Sequence, residues 1–149
     1  MARARPLVGI DTSCLIPLFC EWHVQHEPTK AAIERTGLKS MVVCSHVVLE
    51  CFSVLTRFPA PFRLPARQAE EMLRENLHES VSVTPMIASD AWDSIGTIAV
   101  RKLPGGRVYD AAIAQATARA GASVLLTWNV RDFLTVAPAG LEIREPGVR

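Results

Sequence analysis

Short runs of aliphatic and β-branched residues alternate with helix-length segments along the whole chain, and this alternation limits the fold more than any other feature. LVGI at 7–10, MVVC at 41–44, VSVT at 81–84 and ASVLLT at 122–127 read as buried strands, with an edge strand at Leu141–Ile143. Between them, helices are expected from Thr12 to about Glu21, Val24 to Arg35 (ending at Gly37) and Ser45 to about Arg57. Further helices are expected from Pro65 or Ala66 to about His78, Ile87 to Val100 and Val108 to Ala120. RFPAPFRLPAR, with three prolines, must be a loop, and KLPGGR a turn. Strands alternating with helices give an α/β fold with a parallel sheet. The 149 residues suit a single domain over 1–149 with its own core.

The chain is 49% hydrophobic and 21% charged, with a net charge of +1. That balance argues against coating nucleic acid by bulk charge, and leaves room for a local basic patch. No apolar run approaches the roughly 20 residues that cross a bilayer. MARARPLVGID has arginines before an apolar run, but Asp11 breaks it and no small-residue cleavage site follows, so a cytoplasmic protein is expected. Cys14, Cys20, Cys44 and Cys51 form no close pair and sit among apolar residues, where a free cysteine acts as a small hydrophobe.

Within LVGIDTSCLIPLF one carboxylate, Asp11, interrupts the apolar run. Burying a lone carboxylate is costly unless it is paired, hydrogen-bonded or metal-bound. Asp11 directly follows the first strand, where ligands of open parallel sheets gather. Glu50 falls at the edge of the apolar arc of its helix, sharing a face with Arg57. Asp110 lies in the first turn of its helix, with Ala114 and Thr117 on its side leaving room beside it. Asn129 and Asp132 follow the last buried strand, at the same edge of the sheet. Read singly, Asp11 caps a helix, Glu50 pairs with Arg57, Asp110 complements a helix dipole and Asp132 caps a short helix. Read together, they are one acidic cluster, which cannot stay ionised without a cation. An all-oxygen donor set favours Mg²⁺ or Mn²⁺, and with it phosphodiester hydrolysis.

GIDTSCLI, VVLECFSVLTR, GGRVYDAAIAQATARAGA and LLTWNVRDF, in this order over nearly the whole chain, resemble the PIN-domain ribonucleases, most closely VapC-type toxins of toxin–antitoxin pairs. The resemblance implies a PIN-like α/β/α sandwich with a central four- to five-stranded parallel sheet. It implies an Mg²⁺-dependent endoribonuclease, with Mn²⁺ as an alternative ion, acting as the toxin of a type II pair. Asp11, Glu50 and Asp110 match the core acids. Asp11 and Asp110 would hold the metal, and Glu50 would hold or activate the attacking water. Asp132 is expected as the fourth acid, with Asn129 and Thr127 as supporting groups, and Thr12 and Ser13 steadying Asp11 or the phosphate. Cleavage would leave a 5′-phosphate. The implied partners are RNA and a VapB-type antitoxin, whose arginine would enter the acid cluster.

Among the basic residues, Arg107 and Arg131 stand within three residues of a proposed acid and are the best phosphate contacts. Leu49, Phe52 and Thr56, with Phe58 and Phe62, make more apolar surface than one core needs, which points to a homodimer or larger assembly. Of the tryptophans, Trp128 borders the cleft and is the favoured base-stacking residue, while Trp22 and Trp92 read as half-buried helix residues. Dinucleotide binding would need Gly-x-Gly-x-x-Gly where the chain has Asp-Thr-Ser-Cys, and a dehalogenase-type phosphatase would need Asp at Ser13. The remaining alternative is a PIN domain that binds RNA or protein without cleaving.

Overall fold

The computed structural model describes residues 6–77 and 80–147. In chain order the elements are β1 (Leu7–Ile10), α1 (Thr12–Phe19), α2 (His26–Thr36), β2 (Met41–Cys44), α3 (Ser45–Arg57), α4 (Ala66–Leu77), β3 (Ser82–Thr84), α5 (Ala88–Arg101), α6 (Arg107–Arg119), β4 (Ala122–Leu126), α7 (Val130–Leu134) and β5 (Glu142–Arg144). All five strands are parallel, in the order β3-β2-β1-β4-β5. The expected α/β/α architecture is therefore present, with the sheet at its five-stranded limit.

The central strands carry the core because parallel strands are covered on both faces. Every residue of β2 is buried, as are Val8 and Ile10 of β1 and Leu125 and Leu126 of β4. The outer strands β3 and β5 are short, which limits their exposed edges. All four cysteines are free and buried, in keeping with their reading as small hydrophobes.

Element ends move from expectation for local reasons. α1 stops at Phe19, because Cys20 is already extended. The second helix starts at His26 rather than Val24, after a turn across Glu21–Gln25. α4 is described to Leu77, and its expected end at His78 lies outside the described residues. Ser45 does not cap α3 but lies inside it, and its hydroxyl accepts the Met86 N–H at 3.2 Å, linking α3 to the segment after β3. Among the described residues no helix is long and apolar enough to cross a membrane.

One close approach sets the depth of the sandwich. A Cβ on Gly9 would stand 2.2 Å from Thr117 Cγ2, so α6 rests on β1 only because residue 9 has no side chain. Ala114 and Thr117 are both buried. Thr117 thus occupies the space facing β1 instead of leaving room beside Asp110. At the far end of α6, Arg119 donates to both carboxylate oxygens of buried Asp90 at 3.0–3.2 Å and to the Pro85 carbonyl. That clamp ties α6 to the start of α5.

Candidate active site

The chain crosses from one half of the sheet to the other at β1, with β2 and β3 on one side and β4 and β5 on the other. A crevice outside the carboxyl ends of the strands forms at such a switch point. Here it is a pocket of about 450 Å³, lined by Asp11, Thr12, Ser13, Glu50, Asp110 and Asn129, with His23, Phe58 and Trp128 on its walls. Three acids far apart in sequence thus face one space.

Asp11 stands at the N-cap position of α1 but makes no side-chain cap bond. Its carboxylate is held from two other directions. Ser13 Oγ donates to Oδ1 at 2.7 Å, and Thr127 Oγ1 donates to Oδ2 at 3.0 Å. The same hydroxyls accept backbone N–H groups, Ser13 from Trp128 and Thr127 from Asn129, each at 2.9 Å. The β4–α7 loop is thereby stitched to the start of α1 through Asp11. Burial pushes the Asp11 carboxyl up to about 6; the Ser13 and Thr127 bonds pull against this, and the Asp110 charge adds to it.

Glu50 is on α3, and both its oxygens are taken by protein donors. Thr12 Oγ1 donates to Oε2 at 2.5 Å and His46 Nε2 lies 3.0 Å from Oε1. Arg57, the partner Glu50 would have if read singly, donates instead from Nε to the Ser53 carbonyl, one turn back. Thr12 therefore steadies Glu50 rather than Asp11. His46 was not foreseen as a site residue. Its signal is the i, i+4 spacing to Glu50 on one helix. Its ring also lies parallel to Tyr109, at 3° and 5.4 Å between centroids, next to Asp110.

Burial raises the Asp110 carboxyl, Arg107 lowers it, and the charges of Asp132 and Glu50 raise it again. Arg107 Nη1 stands 2.6 Å from Asp132 Oδ1, as an ionic contact without the alignment of a hydrogen bond. Asp132 thus lies in the field of Asp110 but faces Arg107, while Asn129 lines the pocket. Arg131 is exposed and not part of the pocket wall. Trp128, expected to stack on bases, is half-buried against the core and donates its indole N–H to Thr29 at 2.9 Å.

The donor set is all oxygen, and each raised carboxyl is one whose ionised form a hard cation would favour. Among the described residues no three acid, histidine or cysteine side chains are already drawn into a ligand group. Asp11 and Glu50 instead have their oxygens held by protein donors, each keeping a free lone pair.

A larger, apolar groove of about 480 Å³ lies elsewhere, between α3, α4 and β3, lined by Val48, Leu49, Phe52, Leu73 and Val83. Its charged residues are Glu70 and Arg74, so it lacks the chemistry of the acid pocket. Leu49 and Phe52 belong to this groove. Phe58 and Phe62 do not continue the patch, because they pack with Trp22.

The PIN domain family model matches residues 8–137. Ribonuclease VapC27 of Mycobacterium tuberculosis (strain ATCC 25618 / H37Rv) is 29% identical over 140 residues, covering 93% of this chain and 96% of that protein. Ribonuclease VapC40 of the CDC 1551 / Oshkosh strain is 29% identical over 140 residues, covering 92% and 97%. The fold is similar to that of M. tuberculosis VapC20, described as a sarcin-ricin loop cleaving toxin, with TM-score 0.71, 16% identity and 95% and 98% of the two chains covered. It is also similar to VapBC2 from Rickettsia felis bound to a DNA fragment from its promoter, with TM-score 0.68, 14% identity and 93% and 98% covered.

Proposed function

The chain belongs to the PIN domain family, and on that premise we propose that it is a metal-dependent endoribonuclease, the toxin of a toxin–antitoxin pair. One observation carries the reading: Asp11, Glu50 and Asp110, from three separate elements, face one pocket at the switch point of the sheet. Ribonuclease relatives matched over nine-tenths of the chain support the same reaction class.

Asp11 and Asp110 would hold Mg²⁺, or Mn²⁺ in its place. When bound, the ion supplies a lowered water pKa and charge neutralisation at the phosphoryl group. Ser13 and Thr127 fix the direction of the Asp11 carboxylate, so it need not reorganise. Glu50 takes the proton of the attacking water on a carboxylate oxygen, with Thr12 and His46 setting its rotamer. The water oxygen forms a bond to phosphorus and the bond to the 3′ oxygen breaks; the departing 3′ oxygen takes a proton from solvent water, leaving a 5′-phosphate and a 3′-hydroxyl. Arg107 steadies the Asp110 side of the pocket and draws the phosphate chain toward it.

An antitoxin partner is supported by the fold likeness to a toxin–antitoxin complex and by the exposed apolar groove beside α3. Leu49, 68% exposed at the edge of that groove, is a natural contact for a protein, whether antitoxin or second copy. The test is incubation of purified protein with RNA, with and without Mg²⁺ or Mn²⁺, beside Asp11→Asn. Metal-dependent cleavage that disappears in Asp11→Asn and leaves 5′-phosphate ends is expected. Cleavage that survives Asp11→Asn, or needs no metal, overturns the mechanism.

A further inference from the structure

Beside the acid pocket, Trp22 and Phe62 lie stacked with centroids 4.1 Å apart and planes 25° apart. Trp22 comes from the turn after α1 and Phe62 from the proline-rich loop after α3. Phe58 braces the pair edge-on, at 5.3 Å and 81° to Trp22. Rings stacked on each other cover one face apiece, and Trp22 and Phe62 remain 47% and 42% exposed. Large aromatic surface left open to water is costly unless something covers it.

The position of this stack says what covers it. Phe58, its brace, and His23, 5.7 Å from Trp22, both line the acid pocket. Arg57 and Arg63 frame the same loop. Each gives one N–H to a backbone carbonyl, of Ser53 and Phe58, and keeps the rest of its guanidinium in solvent. The loop from Phe58 to Pro65 contains no acid, and the acid beside Trp22 in sequence is the exposed Glu21. Exposed aromatic faces beside a loop framed by two solvent-exposed arginines and holding no acid, one ring away from the acid pocket, match a polyanion with flat bases. The apolar groove beside α3, by contrast, matches a protein side-chain surface.

On the ribonuclease reading above, we infer that Trp22 and Phe62 form a subsite that stacks an unpaired base of the RNA chain next to the scissile phosphate. Its ligand is a single-stranded ribonucleotide segment, held by stacking on the rings and by phosphate contacts to Arg57 and Arg63. Because every base has a π face, the subsite selects for unpaired structure more than for base identity. A base locked in a duplex has no face to offer it.

The experiment uses the full chain carrying Asp11→Asn, so that bound RNA is not consumed, and a labelled single-stranded RNA of about 12 nucleotides. Trp22→Leu should weaken binding roughly 5- to 100-fold, and Trp22→Phe should retain most of it. Abasic nucleotides placed along the RNA should reveal one position whose loss weakens binding to Trp22 but has no further effect in Trp22→Leu. Phe62→Leu should give the same non-additive pattern, which guards against a loop rearrangement peculiar to Trp22→Leu. Unchanged RNA affinity in both leucine variants overturns the inference, as does strict additivity at every abasic position. Weakened capture of a co-expressed protein partner with RNA binding unchanged assigns the rings to that partner and also overturns it. The ribonuclease reading stands apart: the chain without Asp11→Asn, carrying Trp22→Leu and still cleaving RNA with Mg²⁺ at unchanged KM, sinks only the stacking subsite.

Discussion

Thr12 Oγ1 donates to Glu50 Oε2 at 2.5 Å, so the first residue of α1 fixes an acid 38 positions further along the chain. Thr12→Val keeps the shape and removes the donor. A hydrogen bond to a charged group is worth about 1.5–3 kcal/mol, so kcat should fall roughly 10- to 100-fold. Thr12→Ser should restore most of it. Single-turnover cleavage rates at saturating Mg²⁺ are the measurement.

His46 supports the other oxygen of Glu50. Removing it with His46→Ala should lower kcat about 10-fold while KM changes little, because His46 acts on Glu50 and not on RNA. His46→Gln, which can still donate, should recover part of the rate. An equal rise in KM would instead place His46 against the substrate.

The raised Asp11 carboxyl gives stability a definite pH dependence. It ionises at about 6 in the folded chain against 3.8 for an ordinary aspartate. A raised carboxyl favours the folded state while protonated, and that advantage is lost as pH climbs from about 4 through 6. Above pH 6 the ionised, metal-free site costs up to about 3 kcal/mol. Asp11→Asn should therefore melt higher than the unaltered chain at pH 8, and at the same temperature near pH 4. Mg²⁺ at pH 8 should raise the melting point of the unaltered chain alone.

Gly9 and Thr117 should behave as a coupled pair. Gly9→Ala drives a methyl into Thr117 and should destabilise the fold by about 1–3 kcal/mol. It should also lower activity, since α6 carries Asp110. Thr117→Ser removes the clashing methyl and should rescue Gly9→Ala beyond the sum of the single effects. Denaturant melts of all four combinations decide it.

Asp132 pairs with Arg107, whereas Asp110 faces the pocket. Asp110→Asn should abolish cleavage. Asp132→Asn should cost no more than about 5-fold, by freeing Arg107, as expected for loss of one partly exposed ion-pair partner. Comparable losses in both would make Asp132 a direct participant in catalysis.

Asp11 was legible because it interrupts an apolar run, and Glu50 and Asp110 because the motifs around them stand in order along the chain. Strand–helix alternation then placed Asp11 and Asn129 at one edge of a sheet. Ser13 and Thr127, expected as supporting groups, do donate to Asp11, whereas the Thr12 and His46 bonds to Glu50 were not legible. Whether Thr12 turns to Asp11 or to Glu50 depends on where α3 crosses α1, which no local pattern encodes. Trp22 was not legible in its place for a related reason. It reads as a helix residue, but α1 ends at Phe19 and leaves it in a turn, free to meet Phe62 from a loop forty residues away. Trp128 borders the cleft as expected, yet its N–H is committed to Thr29, which only the packing of α2 reveals.

The strand order has a consequence for how the protein comes into being. β1 is made before its neighbour β4, and the Thr127 hydroxyl that holds Asp11 is made after all three pocket acids. A nascent chain short of Thr127 carries Asp11, Glu50 and Asp110 without the strand that sets them around one pocket. The pocket comes into existence only once β4 and Thr127 have been made, so the three acids remain apart until that stretch is in place.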